Sequence, residues 1–288
     1  MNDAAIGSWI GREEVVDDVV TAAQLAKMSV TLARDDAPPA PGDPVPPGWH
    51  WMFCHAPAPA SELGPDGHTR RGGFLPPIAL PRRMWAGGRL AFGPPLRVGQ
   101  AVRRRSTILD VAEKHGRSGP LVFVTVRHDS GGADGSAVVE EQDLVFRAAP
   151  QPSDSKTSGD QPAAPETPPR AIWRRRVHAD PVMLFRYSAL TFNGHRIHYD
   201  HPYVTREEGY LGLVVHGPLL ATLMLDLVRR EAPGRRIARF AFRGLHPVFD
   251  TAPFEVAGAP SVDGAEAALW IADPTAAVAM RGTATLAN

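Results

Sequence analysis

The sequence predicts an α+β fold of two halves, each an antiparallel sheet wrapped around a helix, with the helix of the first half degenerate. Three observations predict it. Strand-like runs joined by glycine turns recur in both halves. One long apolar helix, Leu213 to Glu231, stands only in the second half. A short likeness links Arg82-Arg83-Met84-Trp85-Ala86-Gly87-Gly88-Arg89-Leu90-Ala91-Phe92 to Arg235-Arg236-Ile237-Ala238-Arg239-Phe240-Ala241-Phe242. Each copy sits at the first long strand of its half, the signature of a duplication.

In chain order, residues 8–33 read as a lead-in and a helix, with good helix formers from Ala22 to Leu32. Residues 35–48 are a proline-rich connector. Trp49 to Phe53 reads as a short aromatic strand or turn. Residues 61–81 form a glycine- and proline-rich loop with a basic edge at Arg70-Arg71. The stretch 72–81 holds the place of the first half's helix and cannot form one. Strands follow at 88–92, 101–112, 121–128 and 137–147. Residues 150–169 are rich in Pro, Ser and Asp and read as a linker. The predicted organisation is an N-terminal degenerate domain at 1–150, a linker at 151–170 and a C-terminal catalytic domain at 171–288. In the latter, a strand at 172–178 leads to the long helix, which Ala232-Pro233-Gly234 ends. Strands at 236–244, 254–260, 265–273 and 276–285 complete it.

Composition narrows the function. Lys+Arg and Asp+Glu are both 31, so there is no basic excess for nucleic acid or an anionic membrane. Cys54 is the single cysteine, which excludes an intrachain disulfide and suits a cytoplasmic location. The acidic N-terminus (Glu13, Glu14, Asp17, Asp18) does not read as a secretory signal. His216, Gly217, Pro218 and Asp226 interrupt the apolar stretch, making it a core helix rather than a membrane span.

The chemistry concentrates between Phe185 and Glu231. His195, His198, Asp200 and His201 admit a metal reading, but no established zinc spacing is present. They also admit a bland one, in which backbone groups satisfy buried histidines. The sharper reading is acid/base catalysis, since histidine exchanges protons near neutral pH. Asn193 and His195 would hold a water or orient His198. Pro218 suits the first turn of the apolar helix, and Gly217 lets its N–H approach a ligand oxygen. That N–H plus the helix dipole makes an oxyanion hole for a carbonyl becoming an enolate. Base and oxyanion hole in an apolar pocket equip a site to move water across a double bond beside a thioester.

Ser188 to Asp200, followed by Val215-His216-Gly217, resembles the MaoC-like hydratase motif of the hot-dog fold. The form Ser-Ala-Leu-Thr-Phe-Asn-Gly-His-Arg-Ile-His-Tyr-Asp is similar to the subgroup of type 2 hydroxyacyl-thioester dehydratases and mesaconyl-C4-CoA/itaconyl-CoA hydratases. Trp9-Ile10-Gly11-Arg12, Trp49-His50-Trp51, Ser61 to Gly67 and Gly72 to Pro77 extend the resemblance to mesaconyl-C4-CoA hydratases across the first half. It implies a double hot-dog fold with the site between the halves, the second half giving the chemistry and the first shaping the acyl tunnel. It implies catalytic His198 with Asn193 and His195, an oxyanion hole at Gly217, and no cofactor beyond the coenzyme A carried by the acyl-CoA substrate. Asn193 stands where the family's catalytic aspartate falls.

The implied reaction is hydration of mesaconyl-C4-CoA to citramalyl-CoA, with itaconyl-CoA entering through the same dienolate. Candidate substrate-binding residues are Arg186, Tyr187, Ser188, Arg196, His216 and Phe74. Arginine suits a second carboxylate by bidentate pairing. Arg103 to Arg105 and Arg174 to Arg176 are candidates for the coenzyme's phosphates. A fatty-acyl dehydratase, a non-catalytic thioester binder and a hydrolase on the same fold are the alternatives. By analogy with such folds, the expected assembly is a homodimer.

Overall fold

The computed structural model describes residues 6–116, 119–133, 135–148 and 168–287. Most of the expected linker lies outside the described residues. Ten antiparallel strands form a single sheet: β1 (Glu13–Val19), β2 (Arg82–Phe92), β3 (Ala101–Gly116), β4 (Gly119–Gly132), β5 (Gly135–Arg147), β6 (Trp173–Val177), β7 (Arg236–Gly244), β8 (Phe254–Pro260), β9 (Glu266–Ala272) and β10 (Val278–Ala287). Their order is β1-β3-β4-β5-β2-β7-β10-β9-β8-β6. Read outward from the centre, β2-β5-β4-β3-β1 matches β7-β10-β9-β8-β6 strand for strand. The two strands carrying the sequence likeness are therefore equivalent, and they pair with each other, Gly88 opposite Phe242 and Leu90 opposite Phe240.

Helices α1 (Ala22–Thr31) and α2 (Pro181–Leu190) pack against each other. A short α3 (His201–Arg206) precedes the long α4 (Gly217–Glu231). Leu219 to Val228 of α4 are all buried, against β6, β8, β9 and β10. Asp226 lies within this apolar stretch without isolation. Arg34, Arg175 and Arg230 reach it at 2.6, 2.7 and 2.7 Å. An ionised carboxylate tolerates such burial only with this kind of pairing. Arg175 is thus engaged by Asp226, and Arg103 and Arg174 by Asp17 and Glu255.

Among the described residues, the first half has no counterpart of α4, as expected. Ile78, from the stretch 72–81, packs with Ile108, Val122, Val124, Val126 and Phe146. The Arg71 guanidinium donates to the carbonyls of Ile78, Leu80 and Pro81 and lies over the Phe146 ring. Arg71, from the basic edge of this loop, thus holds the loop in the place of a helix.

Two local expectations are corrected. Residues 13–19 are strand β1 rather than a helical lead-in. Thr21 caps α1 by accepting from the Gln24 N–H, and Asp17 pairs across the strands with Arg103. Trp49 to Met52, expected as a strand or a turn, is a 3-10 turn. The apolar helix begins at Gly217, because Val214 and Val215 are extended and bonded to the segment Val248–Phe249. Among the described residues, no helix is long and apolar enough to cross a membrane.

Candidate active site

A cavity of about 530 Å³ opens between the halves. The end of α2 and the N-terminus of α4 carry the second half's share of its polar wall. Asp180 caps α2, accepting from the Met183 N–H at 2.8 Å. The helix stops at Leu190, and Phe192 takes a left-handed conformation that turns the chain back. Asn193 Oδ1 then accepts from the His195 N–H at 3.0 Å, leaving the Asn193 amide nitrogen able to donate. A 3-10 turn at Arg196–His198 brings His198 under the start of α4.

His198 is buried, and its Nδ1 lies 2.7 Å from the Val214 carbonyl. A carbonyl only accepts, so Nδ1 carries the proton and Nε2 keeps its lone pair. Burial pushes this imidazole down to about 4; the Val214 carbonyl opposes that and His68 adds to it. His198 is therefore neutral at pH 7. Its ring stacks on His216, with centroids 3.7 Å apart. His216 is wholly buried, and its Nε2 bonds the Ser188 hydroxyl at 2.8 Å. Burial holds His216 well below its ordinary range, with His198 and His195 adding to the shift. The pair Ser188–His216 thus buttresses His198 from behind.

Gly217, the first residue of α4, lines the cavity beside His198. Pro218 has no N–H, so Gly217 presents one of the helix's unpaired amides, at its positive end. A side chain at Gly217 would meet only the Trp85 carbonyl, at 3.8 Å, so packing alone does not exclude one.

The first half supplies the rest. Leu63 and Thr69 form a bridge that closes a loop, and the loop presses against the motif. The Arg196 N–H donates to the Asp66 carbonyl at 2.9 Å, and its guanidinium donates to the Pro65 carbonyl. Gly67 has φ of +87°, and a Cβ there would lie 2.0 Å from the Gly194 carbonyl oxygen, so glycine is required. This clasp sets His68 against His195, with ring centroids 4.2 Å apart. His68 Nδ1 lies 3.1 Å from Asp66 Oδ2, and its backbone N–H donates to Oδ1. Burial tends to raise Asp66, but the bonds from His68 outweigh it and hold the carboxyl below its ordinary range. Burial and Arg83 push His68 down to about 4. His195 is held far below its ordinary value by burial and then by the charges of His68, His198 and Arg83; Asp66 acts in the opposite direction.

Of the residues predicted from sequence, Asn193, His195, His198, Gly217 and Phe74 line the cavity. Ser188 and His216 sit behind it. Tyr187 is buried behind it too, its ring 5.0 Å from that of His216 and its hydroxyl 3.4 Å from Thr222. Two arginines are corrected. Arg186 is exposed on α2 away from the cavity. Arg196 is engaged by Asp200 at 2.7 Å and lies over the Tyr203 ring. The four-residue metal set does not converge either, since Asp200 pairs with Arg196 and caps α3, and His201 is exposed. Asp66, His68 and His195 instead bring ligand-type atoms within 4.8 Å of one another. Asp66, His68 and Arg83 were missed by sequence reasoning. Their signal, an Asp-Gly-His turn and a strand arginine, gains meaning only through contacts across the halves.

Residues 48–250 match the hydroxyacyl-thioester dehydratase type 2 family. The chain is 45% identical to mesaconyl-C(4)-CoA hydratase of Chloroflexus aurantiacus over 99% of both chains. It is 29% identical to the mitochondrial hydroxyacyl-thioester dehydratase type 2 of Schizosaccharomyces pombe, covering 73% of this chain and 76% of that one. Among solved structures, a Mycobacterium tuberculosis protein with a double hot-dog fold superposes with a TM-score of 0.57 at 14% identity, over 96% of each chain. The sheet described above is that fold.

Proposed function

The chain belongs to the hydroxyacyl-thioester dehydratase type 2 family and is a hydro-lyase; from that premise we propose that it adds water reversibly to mesaconyl-C4-CoA, giving citramalyl-CoA. The observation that carries the chemistry is the neutral His198, its Nδ1–H fixed on Val214 and its Nε2 free beside the α4 N-terminus. The 45% identity over the full length of a mesaconyl-C4-CoA hydratase supports the substrate.

In the proposed reaction, the thioester carbonyl accepts from the Gly217 N–H. The Asn193 amide holds a water against His198 Nε2. His198 takes a proton from the water, and its oxygen bonds the β-carbon. The double-bond electrons move toward the carbonyl, whose oxygen becomes an enolate at the positive end of α4. The enolate collapses as His198 returns the proton to the α-carbon. Water is consumed and no other reactant is needed. Asp66 contributes the negative charge that Asn193 lacks. It raises the proton affinity of His68 and His195, and so favours positive charge in the histidine cluster as the proton moves. Itaconyl-CoA, with its double bond one position out of conjugation, would enter through a dienolate held at the same oxyanion hole.

The test is incubation with mesaconyl-C4-CoA and, separately, straight-chain crotonyl-CoA, with products read by mass. Gain of one water on the branched dicarboxylate is expected. Hydration of crotonyl-CoA alone would move the protein to fatty-acyl metabolism. Free coenzyme A would mark a hydrolase, and no change would contradict the hydratase reading.

A further inference from the structure

A cation in a cavity wall needs a counter-charge, because desolvating an unpaired ion is costly. Strand β2 opens with two arginines that line the cavity, and they differ in this respect. Arg82 forms an ion pair with Glu208 at 2.9 Å and lies 5.3 Å over the Tyr210 ring. Among the described residues, no group accepts a hydrogen bond from the Arg83 guanidinium; only the charges of Asp66 and Arg71 reach it. Asp66 is already engaged by His68. Burial pushes Arg83 down to about 10 while the side chain still meets the open cavity.

Its position is specific. Two residues further along β2, the Trp85 carbonyl faces Gly217, 3.8 Å from where a side chain there would start, so this end of β2 lines the cavity beside Gly217, His68 and His195; the Arg83 charge accordingly acts on both histidines. Arg104 also lines the wall, but its charge acts on Cys54, His55 and His128. With the carbonyl oxygen at Gly217 and the β-carbon at His198, a carboxylate on that β-carbon is one bond from the site of water addition. Its counter-ion must stand beside the histidines.

We propose that Arg83 binds the free carboxylate of the substrate, and so selects thioesters bearing a carboxylate on the β-carbon over neutral chains. This rests on the dicarboxylate reading above. A planar guanidinium offers two parallel donors to a carboxylate, and an ammonium does not. The bound carboxylate also supplies the missing counter-charge.

The test compares citramalyl-CoA with 3-hydroxy-3-methylbutyryl-CoA, in which a methyl group replaces that carboxylate, both followed in the dehydration direction. The readout is the ratio of their kcat/KM values for the wild type, Arg83→Gln and Arg83→Lys, with circular dichroism monitoring the fold. Truncating one partner of a buried charge pair predicts that Arg83→Gln lowers the ratio on the order of a hundredfold. Arg83→Lys should recover part of it. Equal losses on both thioesters would reduce Arg83 to a structural role, and an unchanged ratio would overturn the proposal. A wild type that acts on the neutral thioester alone would instead contradict the dicarboxylate reading itself.

Discussion

In the proposed reaction, His198 owes its readiness as a base to two neighbours, Val214 and His216. The Val214 carbonyl fixes its tautomer, and the His216 ring, tied to Ser188, fixes its plane. A base oriented this way loses little freedom when a water binds. Gly217 is the second residue on which the chemistry turns. Its missing side chain leaves room for a carbonyl oxygen, and only van der Waals contact with the Trp85 carbonyl awaits an added methyl. Gly217→Ala keeps the N–H but puts a methyl where the carbonyl oxygen would approach, so it is expected to fold and melt nearly as the parent while kcat/KM falls at least tenfold; an oxyanion donor fully lost costs about two to three orders of magnitude. Steady-state kinetics beside a thermal melt would check it. An unaltered kcat/KM would move the carbonyl elsewhere.

The clasp between the loop at 63–69 and the motif at 193–198 is the element that joins the two halves of the site. Gly67→Ala would force a Cβ into the Gly194 carbonyl and strain a left-handed backbone. The loop must then lift from the motif, so both the melting temperature and activity should fall, activity by more than tenfold. A variant that melts and turns over like the parent would show that the clasp does not position the site. The same clasp marks where the sequence stopped being legible. Apart from β1, the strands were readable from local alternation and turns, and α4 from its apolar run. The duplication was readable because β2 and β7 keep their likeness while pairing with each other. That His198, Asn193 and Gly217 share one cavity wall was readable because they lie close together along the chain. Asp66, His68 and Arg83 were not, because their chemistry depends on contacts more than a hundred residues away. Arg196 misled for a related reason. A cation within a motif suggests a ligand contact until the structure reveals Asp200 one helical turn on.

Across the whole molecule, burying the site carries an acid liability. Burial pushes His55, His68, His128 and His198 down to about 4 from an ordinary 6.5, and also holds His195 and His216 well below that ordinary value. Between about pH 6.5 and 4 the unfolded chain binds protons that the folded chain refuses. Stability is thus full above 6.5 and declines as pH falls through that window, by at most about 1.4 kcal/mol per pH unit for each histidine. The melting temperature should be level from pH 7 to 8 and several degrees lower at pH 5. A melt unchanged at pH 5 would mean that the cluster is better solvated than its burial implies. The proposed chemistry draws on both halves, with base and oxyanion hole from the second and Asp66, His68 and Arg83 from the first, all of them lining one cavity. The most direct measurement of this account is kcat/KM for mesaconyl-C4-CoA hydration by His198→Ala, with circular dichroism confirming the fold. A general base is worth about two to four orders of magnitude, and a loss of that size is predicted. Turnover within a few-fold of the parent would contradict His198 as the base.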